Sequence, residues 1–143
     1  MHDTAPTLFF RVGGMPFFEA LVDAFYDGVA TDEVLLPLYP EQPDLTGARR
    51  RLTLFLAQYW GGPPTYMEER GHPRLRMRHF PFHVGPRERD RWLVNMAAAV
   101  EAVCVERSAP EGTAAELMAY FAPAAEHLRN DSGPSISSRG TGG

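Results

Sequence analysis

The chain contains no lysine; all fourteen of its cationic side chains are arginine. It has a single cysteine, Cys104, which excludes an internal disulfide and fits a reducing compartment. No apolar run approaches the ~20 residues that a membrane-spanning helix needs. The N-terminus has no basic segment leading into an apolar one, so a secretion signal is not expected. These absences predict a soluble, cytoplasmic protein with no integral membrane part. Glycine-rich flavin or nicotinamide motifs are also missing, as are internal repeats and any convincing pair of strands.

What remains is the composition of an ordinary globular protein. A chain of 143 residues is one domain, large enough to enclose a ligand or cofactor. Hydrophobic residues make up 44% and charged residues 22%. The charge is unevenly spread. Ten of the fourteen arginines lie between Arg49 and Arg91, against four acids, giving +6; the other four arginines and fourteen acids give −10. A basic middle suggests an anionic partner there. With an overall charge of −4, a small dianionic cofactor is favoured over nucleic acid. The alternative is that these arginines simply coat solvated helix faces.

Helical spacing dominates the pattern. Phe18, Leu21, Val22, Phe25, Tyr26 and Val29 predict a helix over 15–30, after Gly13-Gly14 and with Pro16 in its first turn. A short helical piece is expected over 32–36, then a corner at Pro37-Leu38-Tyr39-Pro40. Ala48, Leu52, Phe55, Leu56 and Tyr59 share a face of a second long helix over 45–60, which Gly61-Gly62-Pro63-Pro64 ends. Thr65 and Glu68 have capping-box spacing, predicting a short helix to Arg70. Residues 74–79 fit either a strand or a short helix; with no partner strand nearby, a helix is expected. Pro86 begins a helix to about Glu106, with Trp92, Met96, Ala99, Val100 and Val103 on one face. Thr113 and Glu116 form a second capping-box pattern for a last helix through Leu128, which Pro123 should kink or loosen. The predicted class is all-α, as a domain over 1–131 and a disordered tail rich in Ser, Gly and Thr over 132–143.

Gly71 to Phe82, G-H-P-R-L-R-M-R-H-F-P-F, carries the chemistry. His79 follows a basic run and precedes Phe80-Pro81-Phe82. A neutral imidazole in an aromatic wall suits a buried iron ligand. His72 competes, though Gly71 and Pro73 put it at a turn; His83 lies close by, and His2 and His127 have no supporting context. A buried histidine, tyrosine or tryptophan is also commonly a core residue, so the residues alone leave both readings open.

The blocks Phe25-Tyr26, Leu38-Tyr39-Pro40-Glu41, Phe55 to Pro63, Gly71 to Phe82 and Glu88 to Leu93 stand in an order and at intervals that resemble the second group (O-type) of the truncated haemoglobins. The resemblance covers about Phe9 to Val103. It implies a two-over-two helical sandwich around haem b (iron protoporphyrin IX). It places His79 at the proximal iron ligand, with Tyr26, Tyr39 and Trp92 as distal groups that stabilise a bound ligand. Ala48 matches the site where many globins carry a distal histidine or glutamine, and would act as a distal gate, with Leu52 one turn on. Arg51 is the first candidate for a haem propionate, followed by Arg76 and Arg78. Phe55, Leu56, Tyr66, Leu75, Phe82, Met96 and Met118 are the expected apolar contacts. Two features depart from the family pattern: an extra residue near Gln42-Pro43, and Pro123.

The implied function is reversible binding of dioxygen and other diatomic ligands, nitric oxide and carbon monoxide among them. An alternative is a redox enzyme, either a nitric oxide dioxygenase or a peroxidase-like protein acting on peroxide. Its electrons would come from a separate reductase or a small reductant. A third reading is a cofactor-free helical adaptor. The chain is compatible with a homodimer.

Overall fold

A computed structural model describes residues 6–39, 44–70 and 85–128. Every regular element among them is helical, and no strand occurs there. The expected helix over 74–79 and the tail lie outside the described residues. No described helix is long and apolar enough to cross a membrane.

The first element was not anticipated. α1 is a single turn, Leu8–Arg11, too short to show a period. Leu8 and Phe9 are buried, and the Phe9 amide donates to the Trp60 carbonyl at 3.0 Å. α2 spans Met15–Ala30 and buries Phe17, Phe18, Leu21, Val22, Phe25, Tyr26 and Val29, the face that its spacing predicts. The next helical turn falls later than expected, at Leu36–Leu38, and is 3-10 rather than α. Asp32 takes the start of that segment into an Asx turn, accepting hydrogen bonds from the amides of Val34 and Leu35. Pro37 is tolerated in the short turn, where its missing N–H leaves no long ladder incomplete.

α3 covers Thr46–Tyr59. Its end is a Schellman motif: Gly62 N–H donates to Ala57 at 2.7 Å and Gly61 N–H to Gln58 at 3.2 Å. Gly61 has φ +99°, and a Cβ there would stand 2.5 Å from Thr7, so glycine is required twice over. Ala48, Phe55 and Leu56 are buried as predicted, and Leu52 is partly so. Tyr59 departs from that face. It is half-exposed and packs at a tilt against Tyr120, because one turn past Phe55 the helix surface has already rotated towards the last helix.

α4 is Thr65–Arg70, α5 is Pro86–Glu106 and α6 is Thr113–Leu128. The predicted capping boxes are not what starts α4 and α6. Thr65 and Thr113 are already helical; the Thr113 hydroxyl donates to Pro110 at 2.7 Å, and Glu116 pairs with Arg11 at 3.1 Å. The reciprocal carboxylate bond appears at α5 instead, where Glu88 accepts the Gly85 amide at 2.9 Å. α6 runs through Pro123 to Leu128, held from both sides by buried Phe121 and Ala125.

α2 packs against both α3 and α5; α5 packs against α6, and α4 against α3. The α2–α3 and α5–α6 pairs are the two layers of a two-over-two sandwich. Their shared interior holds Phe17, Phe18, Leu21, Phe25, Met96, Val100, Leu117 and Phe121. Each large apolar side chain buried in it contributes about 1.5–3 kcal/mol.

Candidate functional site

Three polar aromatic residues meet where the C-terminal part of α2, the 3-10 turn and the first turns of α5 converge. Tyr26 comes from α2, Tyr39 follows the 3-10 turn, and Trp92 lies on α5. Tyr26 is 4% exposed and Tyr39 7%, so both hydroxyls are out of bulk water. Their rings meet edge-on, with centroids 5.4 Å apart. Phe25 fills the space behind them, 5.0 Å from Tyr26 and 5.3 Å from Trp92. The Tyr39 hydroxyl is hydrogen-bonded to both Tyr26 and Trp92. An indole N–H can only donate, so Tyr39 accepts from Trp92.

Burial pushes the Tyr39 phenol up to about 12, against the hydrogen bonds from Tyr26 and Trp92. Tyr26 is raised well above the usual tyrosine value by burial and by Tyr39, with Arg51 and Arg49 acting in the opposite sense. Both phenols therefore keep their protons at neutral pH and remain donors. Tyr26 and Trp92 both donate to the Tyr39 oxygen, which leaves the Tyr39 proton as the one to offer, in an apolar enclosure, to a ligand that accumulates negative charge.

The arginines of α3 divide their work. Arg49 bridges to Asp23 and Asp27 on α2, both at 3.1 Å, and its guanidinium carbon lies 5.9 Å from the centre of the Tyr26 ring. Arg50 pairs with Glu69 of α4 through two bonds of 2.5 and 2.7 Å. The charge of Arg51 acts on the Tyr26 phenol. Among the predicted apolar contacts, Phe55, Leu56, Tyr66 and Met96 are buried, while Met118 is partly buried against the core. Tyr66 meets Phe55 edge-on at 5.4 Å. Ala48 is buried on α3. His79, Leu75, Arg76, Arg78 and Phe82 lie outside the described residues, as do His2, His72 and His83. His127 is exposed in the last turn of α6.

One group that holds the site together is not evident from sequence patterns. Asp32, 5% exposed, receives Arg91 Nε at 3.0 Å and Asn95 Nδ2 at 3.1 Å, besides the two amides of its own turn. Asn95 also donates to the Arg91 carbonyl at 3.0 Å. Gly28 makes room for Asn95, since a Cβ on Gly28 would stand 3.1 Å from the Asn95 Cγ. This clamp ties the chain between Tyr26 and Tyr39 to the helix turn that bears Trp92. The available signals were weak ones: an aspartate just past a helix end, and Arg91 and Asn95 one turn apart on α5.

Burial alone would raise the Asp32 pKa, but the bonds from Val34, Leu35, Arg91 and Asn95 outweigh it and hold the carboxyl below its ordinary 3.8. A depressed folded-state value means stability that is present above the unfolded pKa and lost as pH falls through the folded one. Asp32→Asn keeps the turn but loses the charge facing Arg91. It should cost about 1–3 kcal/mol at pH 7. In thermal melts the gap from the parent chain should close as pH drops below 3.8; a gap independent of pH would show that the carboxylate charge plays no part.

The bacterial-like globin family model matches residues 7–127. Group 2 truncated haemoglobin YjbI of Bacillus subtilis is 45% identical over 93 residues, 65% of this chain and 69% of that protein. Among solved structures, the thermostable haemoglobin of the actinobacterium Thermobifida fusca superposes with a TM-score of 0.81 at 50% identity, covering 90% of this chain and 99% of that one. The truncated oxygen-avid haemoglobin of Bacillus subtilis superposes with a TM-score of 0.76 at 36% identity, covering 87% and 99%. A chain that matches the family model over nearly all its described length, and these structures over nearly all of theirs, belongs to the bacterial-like globins as a group II truncated haemoglobin, a family whose members bind haem.

Proposed function

We propose that this chain holds haem b among α2, α3 and α5, with His79 as the protein ligand to iron, and reversibly binds dioxygen and related diatomic molecules. The observation that carries the reading is the cluster of buried Tyr26 and Tyr39, whose phenols stay protonated, with the partly buried Trp92. Reduced haem, when bound, supplies an iron that takes up a diatomic molecule and passes partial negative charge to it. Hydroxyl and indole donors stabilise that charge best where water is absent. Phe25 packs on Tyr26 and Trp92, and Phe55, Leu56 and Met96 are buried in the same core; Ala48 is the proposed distal gate. The related Bacillus subtilis protein described as oxygen-avid is consistent with this reading. His79 rests on its sequence motif, as do the contacts of Leu75, Arg76, Arg78 and Phe82.

Absorption spectra of the purified protein, followed by stopped-flow oxygen binding and release on the reduced form, test the proposal. A haem spectrum with reversible oxygen uptake supports it. Sustained conversion of nitric oxide to nitrate with a reductant would move the assignment to a redox enzyme. A colourless protein that takes up no added haemin would leave only the adaptor reading.

Arg51 is proposed to pair with a propionate, because its charge acts on the buried Tyr26 phenol; Arg49 bridges to Asp23 and Asp27. Arg51→Ala should therefore speed transfer of haem to an excess of apomyoglobin more than Arg49→Ala does. The expected cost is about 1–3 kcal/mol for a charge-assisted bond, less where the propionate stays wet. Equal transfer rates in the two variants would remove this role from Arg51.

A further inference from the structure

Asp32 divides its carboxylate between two elements. Oδ1 accepts the amides of Val34 at 2.8 Å and Leu35 at 3.1 Å, which is all that its own turn requires. Oδ2 serves α5 instead. It accepts from Arg91 Nε at 3.0 Å, from a terminal guanidinium nitrogen of Arg91 at 3.0 Å and from Asn95 Nδ2 at 3.1 Å. The same Asn95 nitrogen also donates to the Arg91 carbonyl at 3.0 Å, which fixes the direction of the amide. Trp92 stands between these two residues in sequence, and its indole donates to Tyr39. The segment from Asp32 to Tyr39 is thus fastened to one stretch of α5 at its first residue and again at its last. Short-range bonds brace the backbone in between. Leu36 N–H donates to Asp32 at 3.0 Å, Leu38 N–H to Leu35 at 2.9 Å and Tyr39 N–H to Leu36 at 3.1 Å. A segment braced in this way passes a shift at one end to the other.

We propose that Asp32, Arg91 and Asn95 are positioning residues for ligand binding: they hold this segment where Trp92 and Tyr26 both reach the Tyr39 oxygen, so that the Tyr39 proton is aimed at the ligand. The proposal rests on the ligand-binding reading above and adds to it three residues outside the aromatic cluster, acting through Tyr39. Asn95 is the member that sets the register. The Arg91 side chain is 52% exposed and shares its charge with water. The Asn95 amide is instead lodged against α2, where a Cβ on Gly28 would stand 3.1 Å from its Cγ. Gly28 lies within α2, where alanine would favour the helix more. Glycine there keeps open the space that the Asn95 amide occupies, and only from that space does the amide reach both Asp32 and the Arg91 carbonyl. Loss of the grip frees the first end of the segment to pivot about the second. The Trp92–Tyr39 bond then weakens and the Tyr39 proton loses its direction.

The test uses the haem-loaded protein, with stopped-flow oxygen release and nuclear magnetic resonance of the tryptophan indole protons in the carbon monoxide form. The chain has two tryptophans, so Trp92→Phe identifies the Trp92 signal by its loss. Asn95→Leu is similar in size and loses both donated bonds. Its Trp92 indole proton should exchange with solvent faster, and oxygen release should quicken roughly two- to ten-fold. Gly28→Ala leaves every residue of the grip in place and displaces only the Asn95 amide. It should move both readings the same way while favouring the α2 helix, so the outcome does not hang on one variant folding. In a Tyr39→Phe background Asn95→Leu should no longer alter oxygen release, though its cost in melting temperature should persist. Unchanged indole exchange and oxygen release in both variants, with melting temperature alone affected, would overturn the proposal and leave the oxygen-binding reading intact. An undiminished effect on release in the Tyr39→Phe background would overturn it equally. Failure of the parent protein to take up oxygen at all would overturn the ligand-binding reading and this proposal together.

Discussion

Alanine in place of His79 is expected to abolish haem retention, the largest single effect proposed for this chain. Among globins one histidine nitrogen joins protein to iron, and the rest of the cofactor is held by apolar contact and propionate pairing. Removing that bond leaves the apolar wall but takes away the strongest single attachment. The five histidines offer a built-in control. His127 is exposed in the last turn of α6, so His127→Ala should bind haemin as the parent does. His72→Ala and His83→Ala should likewise keep the haem spectrum. Titration of the purified apo-variants with haemin reads the result directly. Loss of haem from His72→Ala with retention by His79→Ala would reverse the assignment.

The parts of this fold that were readable from the sequence are those governed by local rules. The apolar spacing of α2, the glycine stop of α3 and the proline start of α5 are each set by residues within a turn or two of one another. The parts that were not readable depend on distant partners. α1 shows no period in four residues and is fixed by the Trp60 carbonyl just past the end of α3. Tyr59 fits the inward face of α3 by spacing, yet packs against Tyr120 because α6 passes there. Glu116 fits a capping box, yet Arg11, 105 residues away, claims its carboxylate. The proposed distal residues stand out because they fall in motif blocks, but the bonding among them was not legible. Nothing in the spacing indicates that Tyr39 joins Tyr26 to Trp92, or that Asp32 reaches Arg91 across 59 residues.

That bonding sharpens what is expected of Trp92. Its indole is held by Phe25 at 5.3 Å, Phe121 at 5.8 Å and the Tyr39 hydroxyl. Trp92→Phe removes the N–H and some volume but keeps an aromatic ring against Phe25. Losing one hydrogen bond of about 1 kcal/mol should raise the oxygen off-rate roughly five-fold or more. The on-rate should rise too, since the smaller ring obstructs the pocket less. Tyr26→Phe removes only a hydroxyl and should act mainly on the off-rate. Because Tyr39 accepts from Trp92, part of the Trp92 effect should pass through the orientation of the Tyr39 hydroxyl. In a Tyr39→Phe background Trp92→Phe should therefore matter less for the off-rate, with a coupling on the order of 0.5–3 kcal/mol in the double-mutant cycle. The on-rate effect, being steric, should persist in that background. Strictly additive off-rates would mean that Trp92 and Tyr39 act on the ligand separately; unchanged rates in Trp92→Phe would make the indole a packing residue and leave distal polarity to the two tyrosines.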